Sequence, residues 1–467
     1  MTISIDRQTS VTQRLAEFVC AAGSKPLDAS ARDHALQALL DLFGIAIRAS
    51  HEVPASHAVS DVISDLGLGD GPCTILGRAE KASPTTAAFL NGVNFHALDF
   101  DDTHETSSLH PGAPVVAAAL AEAEVLGTTT EQLLNAIVVG YDVAVRIGLA
   151  LNPASCYARG FHPTAIAGVF GATAAIASVY ECSPDVLVNA FGINLSQAAG
   201  SLQFSVGTAE TKALQVGLAA HNAVLAVRLA RAGLRGPSEA LEGRSGLLHG
   251  YSDLGDPSVI LDTWDGTHEI ERTAFKPYPC CRYMHAAIDL IASILGEHHL
   301  GYERIDRIRV GLPVAGIRLC GEPQDIKRAP RLIADAQFSM YYTAAATAVW
   351  GSVRWADYAR LDAPEIKEFI DRVDVEVDPD VEALSPQMAA SVEISAGEFH
   401  EKKLVPGARG EPANPLSWED LELKFRDLTA DLLSSHEQDA TIARIRHNDG
   451  TAPAAGLLPL SRRFSPR

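Results

Sequence analysis

Apolar residues recur at helical spacing through the first half of the chain, from about residue 12 to residue 236. One face of residues 31–49 carries an apolar stripe formed by Leu36, Leu39, Leu40, Phe43 and Ile47. A second stripe, in a segment that ends near Gly233, is formed by Leu214, Leu218, Leu225 and Leu229. Spacings of three and four residues place side chains on one face of an α-helix. The pattern predicts a large all-helical region, and its many Ala and Gly residues predict close helix packing.

The pattern changes after about residue 274, where apolar and polar residues alternate. The alternation is clearest in three short segments, 308–312, 373–377 and 392–396. A period of two is typical of half-buried β-strands. Helical stretches lie between these segments at residues 284–295 and 338–351, and the helical pattern returns at 416–433. We therefore predict a smaller α+β domain within the second half of the chain.

The composition is that of a soluble globular protein, since 47% of the 467 residues are hydrophobic and 21% are charged. A chain of this length has room for two or three domains. The net charge of −20 argues against a nucleic-acid partner, because phosphate binding needs a basic surface. The seven cysteines are odd in number and lack zinc-type spacing, which favours a reducing compartment without disulfides.

Two segments bear on where the protein resides. The first residues lack the basic and then apolar order of a secretory signal. Residues 163–180 are uncharged but consist largely of Ala, Gly, Thr and Ser, which is weakly apolar for a membrane span. We expect this segment to be a buried helix, and we expect a cytoplasmic protein that does not associate with a membrane.

The chemistry-bearing residues are densest in residues 91–114, between two helix-like stretches. Six titratable residues fall within fifteen positions there: His96, Asp99, Asp101, Asp102, His104 and His110. Groups this dense between apolar helices either bind a cation or move protons.

The cation alternative depends on the acidic run at residues 101–105. It is similar to the cluster of all-helical isoprenoid synthases, in which carboxylates bind magnesium. Those enzymes need a second acidic cluster on a facing helix, and the sequence offers no convincing one. A metal phosphohydrolase would need an adjacent His-Asp pair, which this segment lacks. We therefore predict no metal and keep a metal-dependent isoprenoid-type enzyme as a remote alternative.

Proton transfer is favoured because other segments supply suitable groups. His162 directly precedes a helix, whose N-terminus favours anions, and Lys212 lies at the edge of an apolar helix. A further cluster holds Lys276, Cys280, Cys281, Arg282 and His285. Each of these residues also has a purely structural explanation, such as a helix cap, a lysine reaching solvent or a buried thiol. A non-catalytic binding protein therefore stays open, but the combination suits a small polycarboxylate.

The motifs taken together resemble the MmgE/PrpD family. They are NGVNFHALDFDDTH at 91–104, GFHPT at 160–164, TK at 211–212, FKPYPCCRY at 275–283, NPLS at 414–417 and KFRDL at 424–428. The family includes 2-methylcitrate dehydratase, cis-aconitate decarboxylase and iminodisuccinate epimerase. The resemblance runs in order from about residue 12 to residue 433.

The resemblance implies a mainly α fold with two domains. A large all-helical domain would comprise residues 1–274 and 406–467, and an α+β lid domain would comprise residues 275–405. The family also implies a homodimer that acts on a small polycarboxylate without a metal or an organic cofactor. The candidate catalytic residues are Asp99, His110, His162, Lys212, Lys276 and Cys281, and the candidate substrate-binding residues are Thr103, Arg282, His285 and Tyr342.

The reactions of this family share a carbanion next to a carboxylate. Forming it needs a positioned base, together with cations that stabilise the developing negative charge. Lys212 and Lys276 suit the charge stabilisation. His162, or His110 oriented by Asp99, suits the base, and a desolvated lysine is a further candidate.

One position departs from the family pattern, because Cys281 stands where the dehydratase and decarboxylase branches carry a histidine. An epimerase needs a second acid on the opposite face of the substrate, and a thiol with a lowered pKa suits that role. We therefore predict an epimerase of the iminodisuccinate type that acts on a small aminodicarboxylate. The alternatives are a lyase of the 2-methylcitrate dehydratase type and one of the cis-aconitate decarboxylase type.

Overall fold

The structure is a computed structural model that describes residues 10–23, 25–206, 209–262 and 266–458. Its chain divides into two compact units. A helical unit comprises Met1–Ala97, Asp101–Thr273 and Trp418–Arg467, and a mixed unit comprises Leu98–Phe100 and Ala274–Ser417. The corresponding boundaries predicted from the sequence lie at residues 274 and 405. The N-terminal residues 1–9, in which the sequence suggests no secretory signal, lie outside the described residues.

The helical unit consists mainly of helices, and it also contains a short antiparallel strand pair, Cys73–Thr74 with Lys81–Ala82. Its helices are Val11–Ala22, Ala29–Glu52, Pro54–Asp65, Pro84–His96, Gly112–Leu126, Thr130–Ala150, Pro153–Ala158, Pro163–Val179, Pro184–Leu195, Thr211–Arg231, Leu247–Tyr251, Val259–Asp262, Trp418–Thr429 and Ser435–Arg446. Side chains of Asp28, Ser83, Thr129 and Ser434 accept hydrogen bonds from backbone amides in the first turn of the helix that each precedes. Such caps satisfy amides that have no partner within the helix.

Small residues let the central helices of this unit approach each other. A Cβ atom added at Gly171 would lie 2.6 Å from the Gly140 carbonyl oxygen and 2.6 Å from the Ala144 Cβ. The helices Thr130–Ala150 and Pro163–Val179 therefore contact each other through their backbones, as their Ala- and Gly-rich sequences predict. All but one residue of Pro163–Val179 is buried, so the segment is the buried helix that we expected.

The helix Trp418–Thr429, which follows the mixed unit in the chain, is fixed to the helix Ala29–Glu52 by a buried ion pair. The Lys424 Nζ atom lies 2.6 Å from Asp41 Oδ1, and the two side chains are 6% and 0% exposed. This contact returns the last part of the chain to the helical unit.

Two helices are long and apolar enough to cross a membrane, judged by length and composition alone. They are Thr130–Ala150 and Thr211–Arg231, and 94% and 56% of the apolar windows concerned are buried within the structure.

The mixed unit contains a four-stranded sheet, with the strands in the order Val373–Val377, Arg307–Leu312, Ala390–Ala396 and Phe399–Val405. The first pair is parallel and the other two pairs are antiparallel. The longer helices of the unit are His285–Glu297, Met340–Trp350 and Pro364–Ile370, and the shorter ones are Val314–Gly316, Gln324–Arg328, Ile333–Ala336 and Pro379–Glu382. The prediction of a mainly α fold with a small α+β region is confirmed. The strand Phe399–Val405 was not predicted.

Candidate active site

The dense segment of titratable residues lies between the helices Pro84–His96 and Gly112–Leu126. It contains an isolated β-bridge between His104 and Leu109 and has no longer regular element. Residues 98–100 group with the mixed unit, whereas the residues on either side group with the helical unit. The three aspartates of this segment consequently have different surroundings.

Asp101 lies between two imidazoles of the helical unit. Its Oδ2 atom is 2.7 Å from Nδ1 of His96 and 3.4 Å from Nδ1 of His110. Burial alone would raise the pKa of Asp101, but the two imidazoles hold that pKa well below its ordinary value. Asp101 is therefore ionised, and the carboxylate that faces His110 is Asp101 rather than the predicted Asp99.

Asp102, the next residue, differs from Asp101 in its charge state. Complete burial and the neighbouring Asp101 carboxylate raise the pKa of Asp102 well above its ordinary value, so this carboxyl group is neutral. It packs beside Tyr141 and the first residue of the helix Gly112–Leu126. A Cβ atom at Gly112 would lie 2.3 Å from Asp102 Oδ1 and 2.4 Å from the Tyr141 hydroxyl, so only glycine fits there.

His162 occupies the N-cap position of the helix Pro163–Val179. Its Nδ1 atom is 2.9 Å from Gln215 Oε1, and the Gln215 amide nitrogen donates to the Ser201 carbonyl at 2.9 Å. Because the amide NH₂ must face a carbonyl, Oε1 is the acceptor and His162 Nδ1 carries the hydrogen. Burial, followed by nearby His96 and Lys212, lowers the pKa of His162 well below its ordinary value. His162 is therefore neutral, with its lone pair on Nε2.

Three predicted residues of the helical unit, His110, His162 and Lys212, form one neighbourhood with His96. The His96 ring centroid lies 4.7 Å from that of His110 and 5.9 Å from that of His162. The His110 amide donates to Thr164 Oγ1 at 3.2 Å, and Thr164 lies two residues after the His162 cap. Lys212 is half-buried at the start of the helix Thr211–Arg231 and acts electrostatically on His162. Thr103, the predicted substrate-binding residue of this unit, is half-buried in the same segment as His110.

Asp99 and Lys276 form a buried pair in the mixed unit. Lys276 Nζ donates to the Asp99 carbonyl at 2.8 Å and to Asp99 Oδ2 at 3.1 Å. Asp99 has a φ of 49°, in the left-handed region that few residues other than glycine occupy. Gln337 supports this conformation because its side-chain amide donates to the Leu98 carbonyl.

Two cysteine thiols, Cys280 and Cys281, lie close enough to Lys276 to be influenced by its charge, and a third, Cys320, contacts Cys281. The Cys281 thiol accepts a hydrogen bond from the Cys320 thiol, and this contact lowers the pKa of Cys281 despite its burial. Burial raises the pKa of Cys280 well above its ordinary value. Of the two adjacent cysteines, Cys281 is the one whose pKa is lowered, and its catalytic role stays a prediction.

Arg282 and His285, two predicted substrate-binding residues, form an internal hydrogen-bond network. Arg282 Nη1 donates to His285 Nδ1 at 2.9 Å, so His285 Nε2 donates to the Cys280 carbonyl at 3.1 Å. Arg282 Nη2 also lies 3.2 Å from Glu411 Oε1. Both ring nitrogens of His285 are thus used within the mixed unit, and substrate contact by these two residues stays a prediction.

Tyr342, the predicted residue of the helix Met340–Trp350, is completely buried. Its ring stacks on Tyr358 with centroids 5.9 Å apart. Within the ranges that the structure describes, the Tyr342 hydroxyl has no hydrogen-bond partner. A buried hydroxyl without a partner costs about 1–3 kcal/mol, so Tyr342 is suited to bind a polar ligand atom.

Among the described residues, the candidate metal ligands already include one hydrogen-bonded pair. Among the described residues, His96, Asp101 and His110 offer ligand atoms that all lie within 4.8 Å of one another. The shortest of these contacts is a hydrogen bond between His96 and Asp101, which an ion would have to replace. The absence of a metal stays a prediction.

Three residues of this neighbourhood, His96, Asp101 and Gln215, were not among the predicted site residues. His96 and Asp101 belong to the dense segment, but nothing in the sequence showed which aspartate would face the histidines. The spacing from Lys212 could have indicated Gln215, because it lies three residues after Lys212 and therefore on the same helix face.

Comparison with known proteins places both parts of the chain in one family. A family model described as the MmgE/PrpD N-terminal domain matches residues 13–259, and one described as the MmgE/PrpD C-terminal domain matches residues 278–449. The chain belongs to the MmgE/PrpD family.

Several similar proteins carry one enzyme name. Cis-aconitate decarboxylase from Homo sapiens is 27% identical over 412 residues, which cover 84% of this chain and 82% of that protein. The Mus musculus protein of the same name is 28% identical over 371 residues, 76% of this chain and 73% of its own. The cis-aconitate decarboxylase-like protein oryM from Aspergillus oryzae is 24% identical over 475 residues, with 97% coverage of both chains.

Proposed function

We propose that this MmgE/PrpD protein is a lyase that removes a carboxyl group from a small tricarboxylate of the cis-aconitate type. The observation that carries the proposal is a cluster in which two imidazoles, His96 and His110, face Asp101. A third imidazole, His162, stacks on His96, and the charge of Lys212 acts on His162. The names of the similar proteins favour decarboxylation over the epimerisation that the sequence analysis put first.

The chemistry of decarboxylation matches these groups. The bond to the departing carboxylate breaks, CO₂ leaves, and the electron pair is delocalised into the remaining unsaturated carboxylate. Positive charge near that position lowers the barrier, and Lys212, whose charge acts on His162, supplies it. A proton must then add to carbon, so a histidine that holds a transferable proton is required.

Incubation with cis-aconitate in deuterated water tests the proposal. We expect CO₂ release together with a deuterium-labelled dicarboxylate product, followed by proton NMR. Lys212→Ala should reduce the rate at least ~100-fold, the usual scale for a lost charge-stabilising group. The proposal would be wrong if cis-aconitate were not consumed. If 2-methylcitrate then gave a new alkene absorbance, the protein would be a dehydratase instead.

A second candidate function is the predicted epimerase of the iminodisuccinate type, and Cys281 favours it. The lowered pKa of Cys281 suits a thiol that exchanges protons near neutral pH. An epimerase would introduce deuterium at the α-carbon of the aminodicarboxylate without releasing CO₂ or forming an alkene. Cys281→Ser should then slow the exchange strongly, and an unchanged exchange rate would exclude this role.

We also propose that the active form is a homodimer. Light scattering after size-exclusion chromatography should give a mass near twice the 49.6 kDa of one chain. A mass equal to one chain under assay conditions would refute the dimer.

A further inference from the structure

One buried carboxylate, Asp101, lies close to two imidazoles in the helical unit. Asp101 Oδ2 lies 2.7 Å from His96 Nδ1 and 3.4 Å from His110 Nδ1, and Asp101 is completely buried. An ionised carboxylate only accepts hydrogen bonds, so each Nδ1 atom that faces it carries a hydrogen. The outer nitrogens, Nε2 of both rings, are then the atoms whose protonation varies.

Charge balance limits this cluster to one additional proton. The single negative charge of Asp101 compensates one imidazolium, whereas two imidazolium rings would leave an uncompensated positive charge in a buried place. Asp102 does not change this balance because its carboxyl group is held neutral.

The surroundings of His96 Nε2 indicate which of the two rings holds that proton. His96 is 2% exposed, and its Nε2 atom has no hydrogen-bond partner among the residues that the structure describes. Protonation there would bury both a charge and a donor without an acceptor, whereas a bare lone pair costs less. The proton therefore belongs to His110, whose side chain is 15% exposed.

Three other groups near His110, among the residues that the structure describes, are compatible with one imidazolium. These three are the neutral His162 ring, the Thr164 hydroxyl that accepts from the His110 amide, and the His96 ring. Lys212 is a cation that acts on His162 and adds to the positive charge of this neighbourhood. Asp101 is the carboxylate that offsets this positive charge.

We infer that Asp101 is a positioning residue that keeps one proton on His110 and thereby makes His110 the proton donor of the reaction. The inference rests on the proposed function. In the step concerned, the electron pair left on carbon after CO₂ departs forms a bond to the Nε2 hydrogen of His110. The N–H bond breaks, His110 becomes neutral, and it regains a proton from solvent before the next turnover.

The test compares Asp101→Asn with Asp102→Asn, two isosteric changes at adjacent buried positions. The first removes the charge beside His110, and the second replaces a carboxyl group that is already neutral. We expect Asp101→Asn to lower kcat at least ~100-fold at pH 7 and to shift the alkaline limb of the pH–rate profile down by about 1–3 pH units. Asp102→Asn should leave the profile in place.

A second measurement reads the protonation of His110 directly and does not depend on activity. Nitrogen-15 NMR of histidine-labelled wild-type protein, with His110→Gln for assignment, reports whether both ring nitrogens of His110 carry hydrogen at pH 7. A neutral His110 in the wild-type protein would overturn the inference, as would equal pH profiles for the two asparagine variants. If His110 is protonated but cis-aconitate is not consumed, the proposed function fails and the assignment of the proton stands.

Discussion

The hydrogen bond between Gln215 and His162 offers a sharp test of how the helical unit controls protonation. In the native protein, the Gln215 oxygen accepts from His162 Nδ1 at 2.9 Å while its amide is anchored on the Ser201 carbonyl. Gln215→Leu removes the acceptor, and Gln215→Glu replaces it by a carboxylate of the same size. Gln215→Leu should therefore lower the reaction rate, whereas Gln215→Glu should shift the pH profile.

The expected magnitudes follow from the burial of His162. Gln215→Leu leaves a buried N–H without an acceptor, which costs about 1–3 kcal/mol. If that cost falls on the active tautomer, the rate drops roughly 5- to 150-fold. Gln215→Glu places a negative charge against the ring, which raises the pKa of His162 by about 1–3 units. In the native protein that pKa lies well below its ordinary value, so the shift returns it toward the range of the assay.

The direction of the pH effect is fixed by this shift. Native His162 stays neutral as the pH falls toward 6, whereas the glutamate variant gains a proton on Nε2 at a higher pH. The acidic limb of its kcat/KM profile should move upward, and Nε2 should become protonated in nitrogen-15 NMR spectra at pH 6. A Gln215→Glu profile that coincides with the native one would refute the tautomer assignment.

A matched control comes from the same helix, Thr211–Arg231. Asn222 is half-buried about two turns beyond Gln215, and its side-chain amide donates to the Gln197 carbonyl rather than to a histidine. Asn222→Asp therefore makes the same amide-to-carboxylate change away from the His162 ring. Its acidic limb should coincide with that of the native protein, which separates the local contact from a general effect of added negative charge.

Further predictions concern single contacts of the two units. Tyr342→Phe should raise the unfolding midpoint, because it removes a buried hydroxyl that has no partner among the described residues. It should nevertheless raise KM or lower kcat several-fold in steady-state assays. Lys276→Met should destabilise the mixed unit in denaturant titrations, since it leaves Asp99 buried without its cation, and Asp99→Asn in the same chain should restore part of the loss. Lys424→Met should cost about 3–5 kcal/mol of unfolding free energy, and unchanged chemical denaturation would contradict a buried pair with Asp41.

The periodicity of the sequence was sufficient for most of the fold. Alternating apolar residues identified the strands Arg307–Leu312 and Val373–Val377. Burial alternates over the first four residues of Arg307–Leu312, whereas it decreases along Val373–Val377. Phe399–Val405 escaped detection because its side chains alternate only between half-buried and exposed, and most of them are polar or charged. An edge strand of this kind is defined by its backbone pairing with Ala390–Ala396, which no side-chain pattern reports.

The residues of the candidate site were easier to find than their partners. His110, His162 and Lys212 were identified from the sequence, but the orienting carboxylate was assigned to Asp99 instead of Asp101. The reason is local backbone geometry, since Asp99 adopts a positive φ and turns to Lys276. A difference of two positions in an irregular segment changes the partner of a side chain, and sequence spacing carries no information about it.

The three aspartates of the dense segment also give a physical reason to expect no metal there. Asp99 is neutralised by Lys276, Asp101 faces two imidazoles, and Asp102 is uncharged because its pKa is raised. A divalent cation would meet one ionised carboxylate together with a neighbouring positive charge at Lys212, instead of the several carboxylate oxygens that Mg²⁺ prefers. We therefore expect a chelator to leave the activity of the purified protein unchanged. The opposite result would be a loss of activity with EDTA that one metal restores. If that metal failed to restore activity in Asp101→Asn, the cluster would bind a cation.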